Sequence, residues 1–123
     1  MPTLIACLSS GKGTWTEVIK IIQSQSWDKV FLITNEFGKD NFRPPQNTEL
    51  IVINDYGKDT SQLAEQIKSG LKSKIKDFEI ALNFSSGSGK EHMALLETVL
   101  ELGFNFRLVT INNNQLEIMG INR

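Results

Sequence analysis

The chain has 123 residues, which fits one domain, and its 13 basic and 14 acidic side chains nearly cancel to a net charge of -1. This balance excludes a surface field strong enough to attract long duplex nucleic acid or an anionic membrane, so any anion site must be local. Hydrophobic residues make up 40% of the chain, with only 9 Gly and 3 Pro, which excludes disordered and collagen-like classes.

Five short apolar runs predict the strands of a sheet. Each run is almost continuously apolar, which is typical of strands that are buried on both faces, as in a parallel sheet. The runs cover residues 3–8, 29–34, 50–54, 79–84 and 107–112.

Three amphipathic helices are predicted between these runs, because apolar residues recur at spacings of three and four. A capping box is predicted at the start of each helix, and Gly103 is a suitable left-handed end for the third. The predicted apolar faces are Trp15, Val18, Ile19 and Ile22; Leu63, Ile67, Leu71 and Ile75; and Met93, Leu96, Val99 and Leu100. The predicted capping pairs are Thr14 with Glu17, Asp59 with Gln62, and Ser88 with Glu91.

The pattern near the C-terminus predicts an antiparallel hairpin whose second strand contains Leu116, Ile118 and Ile121. The Asn residues at 112–114 would form its turn, since Asn tolerates the positive φ of tight turns. Residues 35–48 show no periodicity, so a loop or a poorly patterned crossover helix is expected there. Right-handed crossovers then favour one α/β domain over residues 1–123. The predicted fold is a Rossmann-like three-layer sandwich with a mostly parallel six-stranded sheet of order 3-2-1-4-5-6 and a C-terminal antiparallel hairpin.

Two loops rich in Gly, Ser and Lys follow the first and fourth strands. In the predicted order these strands are neighbours where the winding direction reverses, and open α/β sheets bind ligands at that point. Each loop leads into a helix N-terminus, where unpaired amides and the helix dipole favour phosphate. Two such loops at one crevice predict a ligand that carries phosphate. The predicted ligand-binding residues are Ser9, Ser10, Gly11, Lys12 and Gly13 in the first loop and Ser85, Ser86, Gly87, Ser88, Gly89, Lys90 and His92 in the second.

Other phosphate-binding motifs fit these loops less well. A Walker loop needs a glycine five positions before the Gly-Lys pair and a Ser or Thr after it, where this chain has Phe84 and Glu91. A dinucleotide fingerprint needs a third glycine where this chain has Thr16, although Glu36 after the second strand could imitate the acid that binds a ribose. NAD is therefore a weaker alternative that stays open.

Cys7 and His92 are the single cysteine and histidine, so no zinc site, other metal site or cofactor is predicted. Cys7 lies in an apolar strand and is expected to be a small buried hydrophobe. His92 by itself is expected at a solvated position of the third helix. No apolar run has the length of a membrane span and no basic leader precedes the first strand, so we expect no membrane contact and a cytoplasmic location.

Residues 81–95 resemble the signature of CARF domains, the CRISPR-associated Rossmann-fold family. In that family an apolar strand ends in Asn or Asp, and a Thr-Gly-Gly-Thr-Lys-like turn and a helix with a Met-Ala-like pair follow. Ser9 and Ser10 at the end of the first strand are similar to the family's other ligand loop. The matching residues of the signature are Asn83, Gly87, Lys90 and Met93, and the departures are Ser86, Ser88 and Gly89, which leave the shape of the turn open.

The resemblance implies a stand-alone homodimer that binds a cyclic oligoadenylate, a second messenger of type III CRISPR defence, between its subunits. A ring ligand suits a two-fold dimer, because each subunit meets an identical half of the ligand. Some members cleave the ring without metal by placing a ribose 2'-hydroxyl in line with its phosphate. The resemblance assigns the catalytic roles to Ser10 (or Ser9) and Lys90, but the same residues also serve binding without cleavage.

A second interpretation is a small Rossmann-like domain that binds an ordinary mononucleotide or forms a subunit of a larger assembly. The ligand that copurifies with the protein would separate the two interpretations. The sequence leaves open the ring size and whether Asn35, Arg43, Asp55 and Tyr56 line the pocket.

Overall fold

The computed structural model describes residues 3–8, 12–54 and 57–120. Strands and helices alternate along these ranges until the last two strands, which follow each other directly, and a short 3-10 turn covers Lys12–Thr14. The strands are β1 (Thr3–Cys7), β2 (Lys29–Thr34), β3 (Thr48–Val52), β4 (Glu79–Asn83), β5 (Asn105–Asn112) and β6 (Gln115–Ile118). The helices are α1 (Trp15–Gln23), α2 (Glu36–Asn41), α3 (Thr60–Leu71) and α4 (Gly89–Leu102).

The six strands form one sheet in the order β3-β2-β1-β4-β5-β6, which confirms the predicted topology. All neighbouring pairs are parallel except β5 and β6, which form the antiparallel hairpin. The hairpin turns at Asn113 and Asn114, which have φ values of 52° and 62° as a tight turn requires. Ile121, which the prediction placed in this hairpin, lies outside the described residues. β1 lies between β2 and β4, so the loops after β1 and β4 leave the same edge of the sheet.

Two apolar cores cover the two faces of the sheet and make the domain a three-layer sandwich. Alternate residues of β1 point to opposite faces: Ile5 packs with α3 and α4, whereas Leu4 packs with α1. Both residues are fully buried. Burial on both faces explains why the strand sequences are continuously apolar and not alternating.

The prediction of which residues form the buried face of α4 is wrong in part. Met93 and Leu100 are each 63% exposed, and the buried face consists of Glu91, Ala94, Leu95, Thr98 and Val99. Thr98 Oγ1 donates to the Ala64 carbonyl oxygen of α3 at 3.1 Å, so small side chains let α3 and α4 approach closely. The close packing of small residues, rather than the largest apolar side chains, therefore decides which face is buried.

Two of the three predicted capping boxes are confirmed, those of Asp59 with Gln62 and of Ser88 with Glu91. The prediction for Thr14 is wrong, because the 3-10 turn before α1 gives Thr14 a helical backbone and its side chain makes no cap hydrogen bond. Gly103 ends α4 in the left-handed conformation, as expected.

The segment that lacks periodicity contains the short helix α2, capped by Asn35, whose Oδ1 accepts from the Gly38 amide at 3.1 Å. The alternative of a poorly patterned crossover helix is therefore the one observed. In the described part of the chain, no helix is both long enough and apolar enough to span a membrane.

Candidate functional site

The second predicted loop begins at Asn83, whose side chain is buried at the carboxyl end of β4. Its Nδ2 donates to the Val109 carbonyl oxygen at 2.8 Å and to Ser85 Oγ at 3.0 Å, and its Oδ1 accepts from the Ser85 amide at 3.1 Å. Because both ends of the amide have partners, Asn83 needs no ligand to satisfy its hydrogen bonds. Its role in the structure is to join β4 to β5 and to turn the chain into the loop.

Gly87 brings this loop against the end of β1. Its φ of +100° lies in the region that favours glycine, and an added Cβ would lie 2.9 Å from the Cβ of Cys7. The same Cβ would lie 3.2 Å from His92 Nε2 and 3.3 Å from Glu91 Oε1. Only a residue without a side chain fits this approach, so Gly87 fixes the distance between the second loop and the central strand.

The capping box at Ser88 starts α4 directly after this turn. The Glu91 amide donates to Ser88 Oγ at 3.2 Å, and the Ser88 amide donates to Glu91 Oε1 at 2.7 Å. The first amides of the helix, those of Gly89 and Lys90, have no acceptor within the helix and can donate to a ligand. Because the buried Glu91 carboxylate already offsets part of the helix dipole, an anion at this end also needs a cationic side chain.

Lys90 is the cation in the first turn of α4. Its side chain is exposed, and its Nζ donates to the Lys58 carbonyl oxygen in the loop before α3 at 2.7 Å. An ammonium group has three donors, so this contact leaves two for a ligand. Lys90 therefore connects two loops at the carboxyl edge of the sheet and retains the capacity to bind phosphate.

Ser86 joins the second loop to the start of α1. Thr14 Oγ1 donates to Ser86 Oγ at 2.6 Å, which explains why Thr14 does not cap its own helix. His92 Nε2 lies 2.7 Å from the Ser86 carbonyl oxygen, and since a carbonyl only accepts, Nε2 carries the proton. The His92 ring also packs against Phe84 at 4.9 Å between centroids. His92 is half-buried, so it is less solvated than expected.

Cys7 is fully buried beneath this loop, as expected for a small hydrophobe. Burial raises the pKa of its thiol well above the ordinary value, and the nearby Glu91 carboxylate raises it further. The thiol therefore stays protonated near neutral pH, and a nucleophilic role for Cys7 is not supported.

Several predicted residues lie outside the described part of the chain: Ser9, Ser10, Gly11, Asp55, Tyr56 and the side chain of Lys12. Gly13 is exposed directly before Thr14. Arg43 is exposed after α2, whereas Asn35 lines a pocket at the ends of β2 and β3. The structure thus brings Thr14 and residues 85–92 together at the carboxyl edge of β1 and β4.

Within residues 3–8, 12–54 and 57–120, no group of three His, Cys, Asp or Glu side chains is placed to hold a metal ion. No protein-family model matches the chain, and no curated protein matches it.

Proposed function

We propose that the protein binds a cyclic oligoadenylate at the carboxyl edge of β1 and β4, as a homodimer. The observation that carries this proposal is the 2.6 Å contact between Thr14 and Ser86, which joins the start of α1 to the loop after β4. A ligand with several phosphates suits a site built from both the loop after β1 and the loop after β4, because each loop leads into a helix N-terminus. A ligand with a single phosphate would need only one of them.

The phosphate contacts are assigned to the first turn of α4 and to the first loop. The amides of Gly89 and Lys90 donate to one phosphate. The Glu91 carboxylate offsets part of the positive helix dipole at this end, and the Lys90 ammonium restores positive charge there. Hydrogen bonds to a charged group are worth about 1.5 to 3 kcal/mol each, so this set of donors would contribute affinity for phosphate. Ser9, Ser10, Gly11, Lys12 and Gly13 form the other half of the proposed site.

The dimer contact is assigned to the exposed apolar residues of α4. Met93 is 63% exposed and lies one turn after Lys90. At a rise of 1.5 Å per residue, Met93 is about 4.5 Å along the helix from Lys90. A two-fold axis perpendicular to α4 beside Met93 would therefore place the two copies of Lys90 about 9 Å apart along the helices, on either side of the axis. That arrangement gives a ring ligand equivalent contacts in both subunits.

Ring cleavage is a separate step that the same residues would support. The 2'-hydroxyl of one ribose attacks the adjacent phosphorus, so that a 2'-O to P bond forms and the bond from P to the 5'-oxygen of the next nucleotide breaks. The proton of the 2'-hydroxyl is lost and one proton is gained by the leaving 5'-oxygen, which gives a 2',3'-cyclic phosphate and a 5'-hydroxyl. Ser10 would position the reacting group, and Lys90 would offset the charge that grows on the phosphoryl oxygens.

Two measurements test the proposal. Mass spectrometry of ligand released from purified protein should detect a cyclic oligoadenylate, and a mononucleotide in its place would support the alternative of a mononucleotide-binding domain.

Light scattering should give about twice 13.8 kDa. Met93→Glu should shift the protein to the monomer, whereas Phe78→Glu should not, because Phe78 is 90% exposed just before β4 at the opposite edge of the sheet. A wild-type protein that stays monomeric with saturating ring ligand would contradict the dimer.

A further inference from the structure

The pocket that Asn35 lines is at the carboxyl ends of β2 and β3, on the same edge of the sheet as the loop after β4. Its volume is about 370 Å³, within the range of small-molecule sites. The lining combines an aromatic ring, a buried aliphatic side chain, a carboxylate and two amides, from Phe37, Ile53, Glu36, Asn35 and Asn54. Phe37 is 41% exposed, so part of its ring is accessible to a ligand.

The fold holds Phe37 in a defined position at this edge. Gly38, the next residue, lies directly on the end of β2, where an added Cβ would be 1.8 Å from Thr34 Oγ1. Asn35 caps α2 through its Oδ1 and thereby fixes the start of the same helix. The Phe37 ring also packs against Trp15 at 6.0 Å between centroids. Phe37 is therefore a supported aromatic side chain, and ligand binding would require little loss of conformational entropy.

The pocket is close to the proposed phosphate site. β2 is separated from β4 only by β1, and neighbouring strands are about 4.8 Å apart, so the ends of β2 and β4 are separated by roughly 10 Å. A chain of side-chain contacts covers that distance, because Phe37 packs on Trp15 and the adjacent Thr14 donates to Ser86. This separation is comparable to the length of one nucleotide.

The side chains of the pocket match the parts of a nucleoside. An accessible aromatic ring offers a surface on which a base can stack. Asn amides pair well with the edge of adenine, and Asn35 retains its Nδ2 as a donor while its Oδ1 caps α2. Glu36 follows the second strand, the position from which an acid binds a ribose 2'-hydroxyl in dinucleotide-binding Rossmann folds. Its contact with Lys39, at 4.0 Å on the surface, is too weak to prevent this.

We infer that the pocket lined by Phe37 and Asn35 is an adenine subsite, in which the base stacks on Phe37 and the free ribose 2'-hydroxyl contacts Glu36. This inference rests on the proposed function, because it assigns the base-reading part of the same ligand site. It adds a specificity element to the site, since phosphate contacts alone do not distinguish one nucleotide from another.

The test compares ligands that differ only in the base. Wild type and Phe37→Ala are titrated by calorimetry with AMP, with ribose 5-phosphate and with cyclic oligoadenylates of several ring sizes. We expect wild type to prefer AMP over ribose 5-phosphate, and Phe37→Ala to lose that preference and to bind the cyclic ligand about 5- to 150-fold more weakly. Phe37→Tyr keeps the ring and should retain the affinity, whereas Phe37→Leu keeps only apolar volume and should not. Phe78→Ala removes an exposed Phe at the opposite edge and should have no effect.

The outcomes separate this inference from the proposed function. If the cyclic ligand binds and Phe37→Ala leaves its affinity unchanged, the adenine subsite is refuted and the proposed function stands. If AMP is preferred through Phe37 but no cyclic oligoadenylate of any ring size binds, the subsite stands and the proposed function is refuted. If wild type binds AMP and ribose 5-phosphate equally, or binds neither, the subsite is refuted. Circular dichroism of each variant shows that the comparison is made between folded proteins.

Discussion

The closest approach in the candidate site is at Gly87, and its substitution should be far more harmful than that of other glycines with positive φ. An alanine there meets the Cys7 Cβ at 2.9 Å, and Cys7 belongs to the buried central strand and cannot move aside. We expect a backbone strain of about 1 to 2 kcal/mol from the positive φ. Forcing a methyl group into the packed core adds about 1 to 3 kcal/mol, so the total loss of unfolding free energy is about 2 to 5 kcal/mol.

Two other glycines of the chain serve as matched controls. Gly103 has a φ of +78° with no atom within 4 Å of an added Cβ, so Gly103→Ala isolates the backbone strain. Gly89 has neither a positive φ nor a close neighbour, so Gly89→Ala should be neutral or slightly stabilising. The effect of alanine on the unfolded chain is common to all three variants and cancels between them.

Urea unfolding, followed by tryptophan fluorescence, measures these differences. At an ordinary urea slope the midpoint of Gly87→Ala should fall below that of Gly103→Ala by on the order of 1 M, with an unchanged slope. Equal losses for the two variants would refute the close packing of the second loop on β1, on which the geometry of the site depends.

Three further predictions concern the same region. Lys90→Ala should fold normally but weaken binding of cyclic oligoadenylate by about 1.5 to 3 kcal/mol per site. If wild type cleaves the ring, the variant should also show a lower single-turnover rate, measured at saturating ligand in the presence of a chelator. Unchanged affinity and rate would remove Lys90 from the site. In a double-mutant cycle of Thr14→Val and Ser86→Ala, urea unfolding should give a coupling of about 0.5 to 1.5 kcal/mol, and strict additivity would mean that the two loops are not joined. Burial raises the pKa of Cys7 above its ordinary value of 9.0, and the Glu91 carboxylate raises it further. Above that pH the thiol loses its proton in the unfolded chain but keeps it in the native protein. Unfolding free energy should therefore fall by about 1.4 kcal/mol per pH unit above pH 9, and Cys7→Ala should show a smaller fall in the same titration.

The topology could be predicted from the sequence because several local signals agree. The apolar runs are continuous where strands are buried on both faces, and the capping pairs at Asp59 and Ser88 mark helix starts. The Asn residues at 113 and 114 supply the positive φ of the hairpin turn. Each of these signals depends on neighbours in the chain, so a single sequence reveals it.

The errors arose where contacts between distant parts of the chain decide the outcome. Thr14 has the spacing of a capping box, but its hydroxyl donates to Ser86, 72 positions later in the chain. Met93 and Leu100 have the spacing of a core face, but α4 turns its small residues Ala94 and Thr98 towards α3. Phe37 was not predicted as a site residue, because its short helix shows no periodicity and its exposure depends on the packing of Gly38 against Thr34.

The most direct test of the account is a calorimetric titration of wild-type protein with cyclic oligoadenylates, ATP and NAD under identical salt conditions. We predict that a cyclic oligoadenylate binds far more tightly than the other two ligands, with a stoichiometry of one ring per two chains. A cyclic ligand that fails to bind, or that binds no more tightly than ATP or NAD, would contradict the proposed function.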